Sequence, residues 1–268
     1  MSKNQPPDDY CITLEDVKIA ASRIQGIAHR TPVLTSASID RLAGRNLFFK
    51  VEALQKTGSF KFRGALNATK EELERRAANN NNNNTQQLQT LQVVTHSSGN
   101  HAQALALAAK LATTDAVEVT ATIVMPENTP DVKRNAVADF GATIVLVEST
   151  NKARQEKADE IVQETGASFI HPSEDPRVIA GQGTVCLELL EQLKTDFPHP
   201  VDLDAVIIPG MFFCVEKMKK IMSFFARGKG KTEFRVRTLT EIFSYAFFLS
   251  WGRWFSFRKY HHITQYTG

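Results

Sequence analysis

The feature that most constrains this chain is the regular alternation of short apolar, β-branched runs with longer stretches of helical period. The runs fall at residues 47–51, 93–95, 119–125, 143–147, 168–171 and 205–208. They lack the in-and-out pattern of a half-solvated strand, which predicts strands buried on both faces. Helices are predicted over 13–27, 62–77, 102–111, 130–140, 152–164 and 183–194. Thr13 and Asp16 have the spacing of a capping-box variant, and 102–111 is almost pure helix former. Strand followed by helix, repeated, predicts an α/β fold with a parallel sheet covered by helices.

Composition separates two unlike regions. Residues 211–268 hold 11 Lys and Arg against 3 Asp and Glu, and 15 of the 23 aromatic residues, so the net charge of +3 conceals a body of −5 joined to a tail of +8. A mildly acidic body carries no nucleic-acid footprint. With 42% hydrophobic and 23% charged residues the chain has the balance of a soluble globular protein. Its opening nine residues are polar and acidic where a secretory signal needs an apolar stretch, so a cytoplasmic address is expected. Cys11, Cys186 and Cys214 are far apart and form no CxxC pair, which predicts neither a disulfide framework nor a metal site. Residues 79–92, six asparagines and then a Gln-rich stretch, read as a low-complexity surface loop.

Two constellations can carry chemistry. The first is Ser59-Phe60-Lys61-Phe62-Arg63-Gly64-Ala65. A lone lysine is ordinarily a solvated charge, but Lys61 sits between two phenylalanines at a predicted helix start. An apolar setting and the positive helix end both favour the neutral amine that Schiff-base chemistry needs. The second is Thr95-His96-Ser97-Ser98-Gly99-Asn100-His101, between a strand and a helix. Backbone N–H groups around Gly99 at a helix N-terminus suit a carboxylate or phosphate, although the same residues also make ordinary caps and turns.

Together the segments resemble fold type II pyridoxal-phosphate enzymes, whose lysine motif reads SFKxRGA and whose substrate loop reads S[SA]GNHxQ; this chain has SFKFRGA and SSGNHAQ in that order. Thr31-Pro32-Val33-Leu34, Gly141-Ala142-Thr143, His171-Pro172 and Ala180-Gly181-Gln182-Gly183-Thr184 extend the resemblance over roughly residues 10–209. Phe62, where cysteine and threonine synthases usually carry aspartate, makes the chain similar to the serine racemase and serine/threonine dehydratase branch.

The resemblance implies a role for each matching residue. Lys61 bonds the aldehyde of pyridoxal 5'-phosphate and moves the substrate α-proton on one face, while Phe60 packs on the cofactor ring and Asn100 bonds its 3'-oxygen. The backbone of Ser97, Ser98, Gly99, Asn100 and His101 holds the carboxylate of a small amino acid such as serine or threonine, and Arg154 approaches it. Ser98, where biosynthetic dehydratases commonly have alanine, is the acid/base group racemisation requires on the opposite face. Ser173 replaces the asparagine of the racemases and weakens one cofactor contact.

The implied domains are the N-terminal part of a large domain (10–78), the Asn/Gln loop (79–91), a small domain (92–174), a return to the large domain (175–209) and a non-family aromatic, basic tail (211–268). The likeness stops where the family places a tetraglycine loop around the cofactor phosphate; this chain reads Gly210-Met211-Phe212-Phe213-Cys214. The expectation is therefore a large domain truncated after residue 209, an uncovered sheet edge, doubtful cofactor retention, no racemase divalent-cation site, and impaired catalysis. Gly-Met can be encoded with a splice-donor-like GTATG, so translated intron accounts for the join. Alternatively the chain is a non-catalytic fragment that binds a partner protein, such as a second copy or a full-length relative, or a membrane surface, with the aromatic stretch 242–257 and nearby Arg253 and Arg258 as the seat. The tail's uncharged core, 242–252, is too short to span a bilayer, and of these alternatives membrane contact is the less expected.

Overall fold

A computed structural model describes residues 11–80, 89–208 and 235–238. It begins with helix α1 (Leu14–Ile24), whose capping box forms: Thr13 Oγ1 accepts from Asp16 N–H at 3.2 Å and Asp16 Oδ2 accepts from Thr13 N–H at 2.6 Å. Strands β1 (Val33–Leu34) and β2 (Phe49–Lys50) pair antiparallel, with helix α2 (Ala37–Ala43) between them. The strand predicted over 47–51 is thus only two residues long. Helix α3 (Lys61–Asn80) follows and carries the lysine motif at its first turn.

The principal sheet has four parallel strands in the order β5-β4-β3-β6, formed by β3 (Gln89–His96), β4 (Val117–Pro126), β5 (Thr143–Val147) and β6 (Ser168–Phe169). Helices α4 (Asn100–Ala112), α5 (Asp131–Ala138) and α6 (Asn151–Thr165) connect them. Neighbouring residues of one strand serve opposite cores: Val93 and Ile123 pack with α4 and α5, Val94 and Val124 with α6. This two-sided burial is why the runs at 93–95 and 119–125 lack alternation. Residues 143–147 include no buried one and 205–208 alternate exposed and buried, contrary to the expectation of burial on both faces. The first core reaches without a break to Ile24 of α1 and to Phe62 and Leu66 of α3. Each such fully buried large side chain contributes about 1.5–3 kcal/mol. The Asn/Gln segment is shorter than its sequence implied, because α3 runs to Asn80 and β3 starts at Gln89; 81–88 lie outside the described residues.

Helix α7 (Pro176–Thr195) starts seven residues before the predicted Gly183. Gly181 and Gly183 argue against a helix on propensity alone, but Asp175 caps it, accepting from Arg177 N–H at 2.9 Å, and Pro176 stands at its first position. The glycines are there for contact. A Cβ on Gly181 would lie 2.6 Å from the Arg63 carbonyl oxygen and from Gly64 Cα, and one on Gly64 would lie 2.6 Å from the Val178 carbonyl oxygen. Helices α3 and α7 therefore cross backbone against backbone.

Beside the crossing lies a buried charge network. Arg63, with a side chain 1% exposed, donates to Glu52 Oε1 and Oε2 at 2.7 and 2.9 Å and to Glu188 Oε1 and Oε2 at 3.0 Å each. Lys50 Nζ donates to Glu188 Oε1 at 2.5 Å, to Gln192 Oε1 at 2.6 Å and to the Thr31 carbonyl at 2.7 Å. Two cations face two carboxylates, so the buried cluster is neutral. Burial alone would raise the Glu188 pKa, but the hydrogen bonds from Arg63 and Lys50 bring it below the ordinary carboxylate value. The same bonds and charges outweigh burial at Arg63 and raise its pKa.

The far end of α7 leads to strand β7 (Ala205–Ile208), which pairs in parallel with β8 (Arg235–Thr238). The tail thus supplies β7 with one neighbour, its Val236 and Thr238 being good strand formers, while the other edge of β7 has no strand partner among the described residues. That short run is inconspicuous beside the strong aromatic bias of the rest of the tail.

Gly64→Ala and Gly181→Ala should each lower stability by at least about 1–3 kcal/mol through overpacking against backbone, read as a shift in denaturant midpoint. Glu188→Ala, which strands Arg63 and Lys50 with one carboxylate, should cost about 3–5 kcal/mol by the same measurement.

Candidate active site

The strand order reverses beside β3: the chain steps from β3 to β4 and β5, then returns to place β6 on the other side of β3. Ligands of open parallel sheets bind beyond the carboxyl ends of strands at such a reversal. From β3 that end carries His96-Ser97-Ser98-Gly99-Asn100, and from β6 it carries Ile170-His171-Pro172-Ser173.

Lys61 is brought there by α3. It is half-buried, its Nζ donates to the Pro172 carbonyl at 2.8 Å, and it lies 5.3 Å from the centre of the Phe60 ring. Just before it, Thr57 takes a left-handed backbone conformation (φ 64°) and Gly58 follows at φ 68°. A left-handed β-branched residue is strained, and such strain clusters at functional sites.

The SSGNH segment forms the turn from β3 into α4. Gly99 is the N-cap and its N–H donates to Ser97 Oγ at 3.3 Å; Ser97 and Ser98 are half-buried and Asn100 is exposed at the first helical position. His101 is fully buried. Its Nε2 donates to the Ile170 carbonyl at 3.4 Å, which ties this turn to the end of β6 and leaves Nδ1 as the acceptor. Burial, then the nearby Lys61 charge, push the His101 pKa down to about 3, so the ring is neutral at any physiological pH. Lys61 and the SSGNH turn therefore share one neighbourhood.

Arg154 sits in the first turn of α6, where its side chain folds back on the Thr150 carbonyl (3.3 Å) and the Asn151 side chain. Its neighbour Gln155 is the residue of that turn that touches the loop ends, with Oε1 2.9 Å from His96 Nε2. Sequence reasoning named His96 and His171 within motifs but gave them no role, and passed over Gln155 and Phe169, although the rings of His96, Phe169 and His171 pack within 5.3–6.0 Å of one another. The signal available was position, since each polar one stands at a strand's carboxyl end or on the adjoining helix turn. A groove of about 490 Å³ lined by Phe169, His171, Glu174, Asp175, Pro176 and Arg177 flanks this cluster and shares Phe169 and His171 with it.

Thr57 Oγ1, Ser59 Oγ and His101 Nδ1 are buried without a hydrogen-bond partner among the described residues. Buried polar atoms of this kind normally meet water or a ligand. An amine, a ring beside it and unsatisfied polar atoms fit the aldehyde end of a pyridoxal-type cofactor. The place where its phosphate loop would follow β7 lies outside the described residues.

Residues 24–210 match the model of the pyridoxal-phosphate dependent enzyme family. The chain belongs to that family. It is 44% identical over 204 residues to serine racemase of Rattus norvegicus, an alignment covering 75% of this chain and 54% of that protein. The chain thus spans about half the length of the curated relatives it matches. Among solved structures it is similar to a pyridoxal 5'-phosphate-dependent aspartate racemase (TM-score 0.71, 37% identity, 87% of this chain and 64% of that one) and to serine racemase from Dictyostelium discoideum (TM-score 0.66, 37% identity, 85% and 65%). A threonine deaminase matches with a TM-score of 0.67 at 36% identity, over 85% of this chain and 65% of that one. The α/β fold is that of the fold type II branch of the family. No helix among the described residues is long and apolar enough to cross a membrane.

A histidine whose pKa is about 3 when folded and ordinary when unfolded takes up a proton mainly on unfolding between those values. Stability should therefore fall as the pH drops from about 6.5 toward 3, by about 1.4 kcal/mol per unit. Urea unfolding at pH 7 and pH 5 should show that loss in the native sequence and a flatter response in His101→Gln.

Proposed function

We propose that the site is that of a pyridoxal-phosphate-dependent serine racemase and serine/threonine ammonia-lyase, held here in a form with weakened cofactor retention. The observation that carries this reading is the Lys61 amine, bonded to Pro172 beyond the strand ends and sharing His101 with the SSGNH turn. Residues 92–174 act as the small domain, set against a large domain drawn from 10–78 and 175–209.

In this reading Lys61 holds the cofactor aldehyde, Phe60 lies along its ring and Asn100 reaches its 3'-oxygen. When bound, pyridoxal phosphate supplies an electron-withdrawing ring that stabilises the electron pair left by the departing α-proton. The N–H groups of Ser97 to His101 bind the carboxylate of a small amino acid at the helix N-terminus, and Arg154 swings off Thr150 to approach it. Lys61 Nζ takes or returns the α-proton on one face, while Ser98 Oγ does so on the other, which inverts the centre. If the β-hydroxyl of serine leaves instead, hydrolysis gives pyruvate and ammonia.

Retention is weakened because Met211, Phe212 and Phe213 follow β7 where the family uses bare glycine amides to approach the phosphate. Loss of that grip costs orientation, which is worth up to about 7–11 kcal/mol of a barrier in favourable cases. The same observation favours a second reading, a non-catalytic chain that pairs with itself or with a full-length relative.

Titrating pyridoxal phosphate into the folded protein should raise a visible absorbance band that saturates only at high cofactor and is lost in Lys61→Ala. D-serine and pyruvate should then form from L-serine far more slowly than in a full-length relative. A folded protein that gives no Lys61-dependent band leaves only the pairing reading, which size-exclusion chromatography with light scattering would register as a dimer.

A further inference from the structure

The turn that receives Lys61 is itself shaped by a side chain. His171 Nδ1 lies 3.2 Å from the Ser173 backbone N and 2.9 Å from that of Glu174, and both N–H groups can only donate. Nδ1 must therefore be the unprotonated nitrogen, and the ring proton resides on Nε2. That edge faces the Glu174 carboxylate, with Nε2 4.0 Å from Oε2, which suits the assigned tautomer. The ring has little freedom to turn, since His96 stands edge-on at 5.5 Å and Phe169 at 6.0 Å, and His96 is fixed in turn by Gln155. The peptide between the imidazole and the two N–H groups it caps belongs to Pro172. Its carbonyl accepts the Lys61 Nζ bond at 2.8 Å.

The geometry points to His171 as a positioning residue: its Nδ1 lone pair cinches residues 171–174 into the turn that aims the Pro172 carbonyl at the Lys61 amine. Proline contributes by fixing its own φ and by offering no N–H that could compete for the cap. The imidazole acts on the turn through the Ser173 and Glu174 N–H groups it caps. The inference rests on the proposed role of Lys61 as the reacting amine, and it adds how that amine is held before a ligand arrives. Without the cap the 171–174 turn can open, and the amine loses a fixed acceptor.

Asparagine carries its Oδ1 at the same number of bonds from Cα as histidine carries Nδ1, so His171→Asn retains the acceptor while His171→Ala removes it. Long-range proton–nitrogen NMR of the unsubstituted protein should show His171 as the Nε2–H tautomer. Competitive labelling with an isotope-coded acylating reagent, read by mass spectrometry against the exposed Lys152, should find Lys61 several-fold faster in His171→Ala than in the unsubstituted protein. In His171→Asn it should return to within about two-fold of the original rate. An Nδ1–H tautomer, or equal Lys61 rates in all three proteins, or a His171→Asn rate matching His171→Ala, would each overturn the proposal. None of these readouts uses cofactor, so a missing Lys61-dependent absorbance band counts against the proposed function and not against the His171 cap.

Discussion

Two helices can lie backbone against backbone only where neither presents a side chain, and Gly64 and Gly181 provide that spot for α3 and α7. Everything at the site depends on it. Lys61 is one turn before Gly64, so the approach of the helices sets where the amine emerges. The neutral network of Arg63, Lys50, Glu52 and Glu188 locks the same crossing from the side, because a guanidinium this deeply buried is tolerable only with its carboxylates in place. The residues around the lysine in SFKFRGA thereby acquire separate jobs. Phe62 fills the core, Arg63 binds α7 and the segment around Thr31, and Gly64 lets the helices meet.

The site so formed sets an amine beside groups that carry no charge. The Pro172 carbonyl takes the Lys61 proton bond, and His101 is kept neutral by burial close by. A formal carboxylate at that distance would hold the amine as a tight ion pair, whereas a carbonyl releases it at lower cost when another partner arrives. The unpartnered Thr57 and Ser59 hydroxyls give the same impression of a surface shaped for a polar ligand. Residues 97–101 and 170–173 meet because their strands are neighbours in the sheet while being about 70 residues apart in the chain.

Much of this is legible in the sequence, and the failures share a cause. The buried parallel strands and the capped α1 are written in local pattern, and the two motifs point to the family through residues that the structure gathers at one sheet end. The start of α7 escapes local reading because glycine is a poor helix former by propensity, and the stabilising contact comes from a helix more than 100 residues away. The predicted strand at 47–51 shrinks to two residues because only Val33 and Leu34 pair with it. The role of the tail is hidden for a like reason, since the pairing of residues 235–238 with β7 depends on a register that no local window contains.

By itself the sequence determined the α/β class, the family and the two motifs that mark it, because each is encoded by residue types at short spacing. Only the tertiary structure decided that Arg154 rests on its own helix turn while Gln155 reaches the strand ends, that Glu188 and Lys50 complete the Arg63 cluster, and that His171 shapes the turn beneath the amine. These are contacts between segments distant in the chain. Their existence depends on which strand lies beside which, and on how closely two helix backbones can approach.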